Sequence, residues 1–277
     1  MMRPPEIMMP ERPRSDTPLN ERIALSALRE QFPAQAFQRV ELLGSGWASD
    51  VYLIDDRLVA RFPRNADLAG WIDKDEILLR FVSSSLSSAI GVPELKHRGQ
   101  AGSHFPHAFL VCTFVPGVGA DRREAPVNDD LVRDLGTALT HIHSVSADAA
   151  AALGIDRPDW DDYHGPVRFI HGDFSPDNLM VNTETGRLIG VIDWGNAAIG
   201  DPALDFVPLV LWRGWEFARG VVTVYGLPTD HDFVDRIRRH AQIQALQWLT
   251  DTIKRRADPE LHLTWLENAF DLRSASQ

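Results

Sequence analysis

The stretch FIHGDFSPDNLMV, residues 169–181, sets a histidine, two aspartates and an asparagine between two apolar runs. A bare turn needs only Gly172 and Pro176, so His171, Asp173 and Asn178 ask for another reason. The pattern H-G-D-x-x-x-x-N holds a carboxylate able to take a hydroxyl proton at a fixed remove from an amide oxygen. A second carboxylate, Asp193, follows an apolar run in VIDWG. Asn178 and Asp193 offer hard oxygen donors of the kind Mg2+ takes. Together these are the groups that phosphoryl transfer requires. The competing reading is an Asx turn between two strands, and the presence of Asp193 weighs against it.

Outward from this loop the hydrophobic period changes once. A short helix from Thr17 places Leu19, Ile23, Leu25 and Leu28 on one side. Residues 38–43, 50–54 and 58–62 are short runs rich in Val, Leu and Ile, broken by Gly44-Ser45-Gly46 and by Asp55-Asp56-Arg57, and read as an antiparallel meander. A helix is expected over 73–82 with Ile77, Leu78 and Phe81 inward, then a strand at 95–98 and a buried strand at 108–115 ending at Pro116-Gly117. Asn128 is placed to cap a helix whose Leu131, Leu135, Leu139 and Ile142 recur at helical spacing. Short strands at 178–181 and 188–192 flank the catalytic pattern, and the chain reads as helical from about Ala203. Strands first and helices later predict an α+β fold of two lobes. The expected division is a disordered tail at 1–18, a lobe at 19–115 and a mostly helical lobe at 116–277, with Met8 and Met9 as alternative starts.

Composition excludes several function classes. Of the 277 residues, 28 are Lys or Arg and 39 Asp or Glu, a formal net charge of −11. That balance argues against a nucleic-acid partner, which calls for a basic stripe, and suits a cationic ligand. Cys112 is the single cysteine, which rules out an internal disulfide and a multi-cysteine metal site. With no signal-like or membrane-length apolar run, the expectation is a cytoplasmic protein with no membrane partner. His141 and His143 stand at i and i+2 of a helix and point apart, one to the core and one to the surface.

HGDFSPDNLMV followed by GVIDWGNAAIGDPALDF resembles the catalytic segment of the aminoglycoside phosphotransferase family, whose fold is similar to that of protein kinases and choline kinases. GSGWASDVYLIDDRLVARFPR, an acidic helix and FLVCTFVPG resemble the same family's amino-terminal lobe, so the likeness runs over residues 42–206. It implies a two-lobed kinase-like fold, an antiparallel-sheet N-lobe for nucleotide and a larger helical C-lobe for catalysis. By that resemblance Asp173 is the catalytic base, Asn178 and Asp193 are the magnesium ligands, and His171 positions the loop. Gly44, Gly46 and Ser49 match a phosphate loop in which Ser49 replaces the third glycine. Arg61 stands where kinases carry a phosphate-binding lysine, and Glu76 is its expected ion-pair partner, with Asp73 and Asp75 as fallbacks. Cys112, Thr113 and Val115 fall at the hinge expected to meet the purine of ATP or GTP. Asp201 suits a helix cap, and Asp205 a buried brace for the catalytic loop.

The expected co-substrates are a nucleoside triphosphate with Mg2+ and a small hydroxyl compound, an aminoglycoside first, with a macrolide or a choline- or homoserine-like metabolite as alternatives. Arg61 and the replaced glycine motivate a further alternative, a nucleotide-binding pseudokinase. Asp156, Asp159, Asp161, Asp162, Glu216, Asp230 and Asp232 are candidate contacts for a cation, and Trp160, Trp212 and Trp215 for a sugar ring. The sequence carries no signal for oligomeric state.

Overall fold

The computed structural model describes residues 12–157 and 163–272. Contacts divide the described residues into two compact units, one holding 12–84 with Val92–Val115, the other Ser85–Gly91 with 116–157 and 163–272.

The first unit is built on a five-stranded antiparallel sheet of order β1-β2-β3-β5-β4. Its strands are β1 (Val40–Ser45), β2 (Ser49–Ile54), β3 (Leu58–Pro63), β4 (Leu95–Gly99) and β5 (Phe109–Thr113). The turn between β2 and β3 uses Asp55 and Asp56 at φ 48° and 56°, a left-handed conformation that aspartate accepts better than most residues. Helix α1 (Glu21–Gln31), capped by the Asn20 side chain, buries Ala24, Ala27 and Leu28 against the sheet. Phe62 and Phe109 stack there at 4.5 Å, with Phe105 edge-on to Phe62. Each fully buried phenylalanine contributes about 2–3 kcal/mol.

Helix α2 (Ala66–Ala69) leads into α3 (Ile72–Leu86). Ile72, Leu78, Leu79 and Val82 are buried while Ile77 is 42% exposed, which reverses its expected inward placement. The apolar stripe runs through 72, 79 and 82 at helical spacing, and Ile77 lies off it. Strand β1 also begins two residues later than the apolar run suggests, and Leu42 and Leu43 are exposed on it. Residues 1–11 of the expected disordered tail lie outside the described residues. Residues 12–18 are held instead: Asp16 donates its N–H to Arg64 O at 2.9 Å, and its carboxylate accepts from Ala66 N and faces His107.

The second unit is mostly helical. Helix α4 (Asp129–His143), whose first turn is closed by Asn128 Oδ1 accepting from Leu131 N at 3.0 Å, buries Leu131, Leu135, Leu139 and Ile142. After α5 (Ala147–Ala151) come α6 (Val207–Val224), α7 (Phe233–Lys254) and α8 (Glu260–Phe270). Gly214 breaks α6 at φ 78°, and Asn268 Nδ2 donates to the carbonyl of Leu211 in the preceding turn at 2.8 Å. Two small sheets carry the site. One pairs β6 (Val118–Gly119), β8 (Leu179–Val181) and β9 (Leu188–Val191), and the other pairs β7 (Arg168–Ile170) with β10 (Ala198–Gly200). Strands β6, β7 and β10 are only two or three residues long, too short for a period-2 pattern to show in the sequence.

Candidate active site

The residues of FIHGDFSPDNLMV lie in the second unit, where β7 enters the loop and β8 leaves it. Gly172 takes φ 76°, and a Cβ there would stand 2.3 Å from the carbonyl oxygen of Asn196. Only glycine fits that approach. The side chain of His171 is fully buried and connects two segments: Nδ1 accepts from Asp173 N at 3.2 Å, which leaves Nε2–H to donate to Ile192 O at 3.0 Å. Ile192 in turn donates its N–H to Asn178 O at 3.0 Å. Ile192, the residue before Asp193, is therefore tied to both ends of the loop.

Asp193 itself sits at φ 60°, ψ 65°, uncommon for a residue with a side chain and typical of functional positions. Asn178 is buried, and its Nδ2 donates to Asp173 O at 3.0 Å and Ser175 Oγ at 3.1 Å. With both amide hydrogens taken, Oδ1 is the atom Asn178 has to offer a cation. Burial pushes the half-buried Asp173 carboxyl above its ordinary range, and the charges of Asp193 and Asp177 push the same way, against the Ser175 hydroxyl and His171. A carboxylate that feels a second carboxylate beside an amide oxygen is a site prepared for positive charge.

The loop is braced from behind by Asp205. Its Oδ2 accepts from His171 N and its Oδ1 from Gly172 N, both at 2.8 Å. His143 Nε2 lies 3.0 Å from the same Oδ2, and His143 Nδ1 lies 2.9 Å from the Tyr225 hydroxyl. Burial alone would raise the Asp205 carboxyl, but the hydrogen bond and charge of His143, then the charge and backbone of His171, hold it below its usual range. His143 and Tyr225 enter the site only through this chain of bonds. The split of His141 to the surface and His143 to the core is legible from their spacing, but the partner is not. Asp201 accepts from Ala203 N at the start of the turn that carries Asp205, and it is held by Arg236 at 2.7 Å.

In the first unit Gly44, Gly46 and Ser49 form the β1–β2 hairpin, closed by Gly46 N donating to Ser49 O at 2.8 Å. Neither glycine has a positive φ, and a Cβ on Gly44 would meet nothing within 4 Å. Arg61 is half-buried on β3. Glu76 does not serve as its partner: Glu76 Oε2 accepts from Arg98 at 2.8 Å and Oε1 from Arg80 at 2.9 Å, and these bonds hold its carboxyl below the usual range. Arg98 also reaches Asp73 at 2.6 Å, so a β4 arginine takes two of the acidic residues of α3.

The segment expected to be the hinge lies at the end of β5. Cys112 lies inside the sheet opposite Val59 and Leu95, and Thr113 donates its N–H to Glu94 O and accepts from Glu94 N at its hydroxyl. Burial pushes the Cys112 thiol up to about 11, so it stays protonated. β5 is an interior strand, so Cys112 has neighbours on both sides, while Thr113 ends the strand and Val115 lies beyond it. Of the expected acceptor contacts, Asp230 is engaged by Arg236 at 2.6 Å, and Trp215 is buried with Nε1 donating to Ala269 O. Asp156, Glu216 and Asp232 are exposed and Trp212 is half-buried. Asp159, Trp160, Asp161 and Asp162 lie outside the described residues. Among the described residues no group of three His, Cys, Asp or Glu side chains is arranged to hold a metal, and no helix is long and apolar enough to cross a membrane.

An antiparallel five-stranded unit followed by a helical unit, with a braced H-G-D-x-x-x-x-N loop, defines the protein-kinase-like phosphotransferase fold. The family profile described as "Phosphotransferase enzyme family" matches residues 39–163 and 149–237, and the chain belongs to that family. The solved GDP complex of wild-type aminoglycoside 2'-phosphotransferase-IIIa is similar in fold, with a TM-score of 0.71 at 21% identity over 94% of this chain and 100% of that one. An uncharacterized protein of Bacillus subtilis (strain 168), YcbJ, is 26% identical over 54% of this chain and 61% of its own length. Hygromycin-B 4-O-kinase of Escherichia coli is 36% identical over 26% of this chain and 20% of its own. The chain thus matches less than two thirds of the length of either curated relative.

Proposed function

We propose that the chain transfers the γ-phosphate of ATP or GTP to a hydroxyl of a small cationic molecule, with an aminoglycoside as the first acceptor class and antibiotic resistance as the consequence. The observation that carries this reading is the cluster of Asp173, Asn178 and Asp193 on one braced loop system. In it a half-buried carboxylate with a raised pKa neighbours an amide oxygen and a second carboxylate. Asp173 takes the hydroxyl proton as the acceptor oxygen bonds to phosphorus and the nucleoside diphosphate leaves. Asn178 Oδ1 and the Asp193 carboxylate are the residues that would hold Mg2+, which when bound offsets negative charge on the phosphates. A two-residue set fits that ion, which keeps its other positions for water and phosphate oxygens.

In the first unit the fold does not demand Gly44, whose place is open to a side chain, or Gly46, where a Cβ would meet only Ser49 O at 3.4 Å, so a close ligand is the better reason for them. Arg61 brings a guanidinium suited to a phosphate fork, and Val115 the backbone groups for a purine. The acidic balance of the chain, a partial match named for hygromycin B and a fold relative named for aminoglycosides support the acceptor class. The reaction is cytosolic in this reading, where nucleoside triphosphates are found.

The test is phosphate release onto a panel of aminoglycosides, macrolides and amino alcohols with ATP and GTP, alongside Asp173→Ala. Transfer to an aminoglycoside that the variant loses supports the proposal. No transfer to any compound, or equal turnover in the variant, rejects it in favour of a nucleotide-binding protein without catalysis.

A further inference from the structure

The hairpin that carries Gly44 and Gly46 is gripped by a residue that precedes the fold. Arg12 Nη2 donates to Ser45 O at 2.7 Å and to Gly46 O at 3.0 Å, and Nε donates to Gly46 O at 3.2 Å. The segment behind it is fastened along the next turn. Arg64 Nε donates to Pro13 O at 2.9 Å, Asn65 Nδ2 to Arg14 O at 3.3 Å, and Asp16 caps Ala66 N. Arg64 also holds Asp50 at 2.7 Å, the same oxygen that accepts from Ser45 Oγ. On the loop tip Trp47, 41% exposed, stacks on Trp71 at 6.1 Å and 18°. Backbone and side chain of one short turn are thus both restrained by residues outside it.

From this geometry we infer that Arg12 is a positioning residue for nucleotide phosphate, which presets the Ser45–Gly46–Trp47 backbone to receive an anion. In a trans peptide the C=O and N–H point in opposite directions. Arg12 draws the carbonyls of Ser45 and Gly46 to its own side, so the N–H of Gly46 turns to Ser49 O, and the N–H of Trp47 is aimed away from Arg12 at the loop tip. Free glycine peptides flip readily, and fixing the direction of a donor before binding removes that ordering cost from the complex. The guanidinium also adds fixed positive charge beside a turn that has no lysine of its own.

The inference rests on the phosphotransfer reading for its ligand, and the experiment separates the two. ATP and GTP binding with Mg2+ is measured by calorimetry on the full chain, and amide hydrogen exchange is followed over residues 44–49 without nucleotide. Arg12→Ala is expected to raise the nucleotide Kd about five- to tenfold, a loss of preorganisation, and to speed exchange at residues 45–48. The melting temperature is expected to stay unchanged, because the side chain is exposed. Arg12→Lys restores part of the affinity through one donor instead of a fork. Arg14→Ala, which removes the same charge from the same segment, leaves the Kd at the wild-type value. Equal affinity in Arg12→Ala and wild type, or equal losses in the Arg12 and Arg14 variants, overturns the inference. A wild-type chain that binds neither nucleotide overturns the phosphotransfer reading and this inference with it.

Discussion

His143 Nε2 stands 3.0 Å from Asp205 Oδ2, with both side chains fully buried. The pair joins the end of α4 to the H-G-D-x-x-x-x-N loop, because the same carboxylate accepts the N–H groups of His171 and Gly172. Asp205→Ala would leave two backbone donors and an imidazole without their acceptor, a change expected to cost about 3–5 kcal/mol. The pH dependence follows from the lowered carboxyl of Asp205. A depressed carboxyl contributes fully above its unfolded value near 3.9, and the contribution disappears as pH falls through the lower folded value. Denaturant melts of wild type and Asp205→Asn between neutral and acid pH check this, and the variant should be the flatter of the two on the acid side.

Gly172→Ala tests the close approach to Asn196. The new methyl would lie 2.3 Å from a backbone oxygen at a φ that alanine resists. We expect a loss of about 2 kcal/mol or more, with phosphoryl transfer falling further than stability because the displaced backbone carries Asp173. Thermal melts read beside single-turnover rates separate the two effects.

The geometry of the H-G-D-x-x-x-x-N loop was legible in sequence because it is local: Asp173 and Asn178 lie five positions apart, and Asn178 Nδ2 closes the turn on Asp173 O. The large elements were legible for a similar reason, since the apolar runs of β2 and β3 and the stripe of α4 are written in consecutive residues. What escaped is long-range. Order along the chain pairs Glu76 with Arg61, yet Arg98 on β4 holds Glu76, and only the register of β4 beside β5 brings Arg98 there. The end of β5 shows the same limit: the bonds between Thr113 and Glu94 follow from strand pairing, which residues 108–115 do not themselves encode. Tyr225 and Arg12 lie 82 and 34 positions from the residues they hold, with no motif to announce either.

Arg236 is the second buried anchor. It holds Asp201, 1% exposed, through two bonds, holds Asp230 through a third, and lies over the Tyr163 ring at 4.4 Å. Arg236→Met leaves the buried Asp201 carboxylate only His240 Nε2 at 3.7 Å and the Ala203 N–H and is expected to cost about 3 kcal/mol. Adding Asp201→Asn should recover part of the loss, since it removes a charge that has lost its guanidinium. A double-mutant cycle by chemical denaturation checks this, and additive losses would mean that the two side chains act separately.

Asp193→Asn separates charge from backbone. Position 193 holds a left-handed conformation, φ 60°, and asparagine is one of the few residues besides glycine and aspartate that adopts it readily. The substitution therefore keeps the shape of the turn while removing a carboxylate. The charge of Asp193 contributes to the raised pKa of Asp173, so its removal relieves a repulsion between two acids, and the melting temperature is expected to hold or rise slightly. Activity should move the other way, falling on the order of a hundredfold or more if the carboxylate serves to hold a cation against phosphate. Rates measured across Mg2+ concentration, beside melts of the same preparations, decide the point: undiminished turnover would remove Asp193 from the metal site, and a loss of rate matched by a loss of stability would make its role structural.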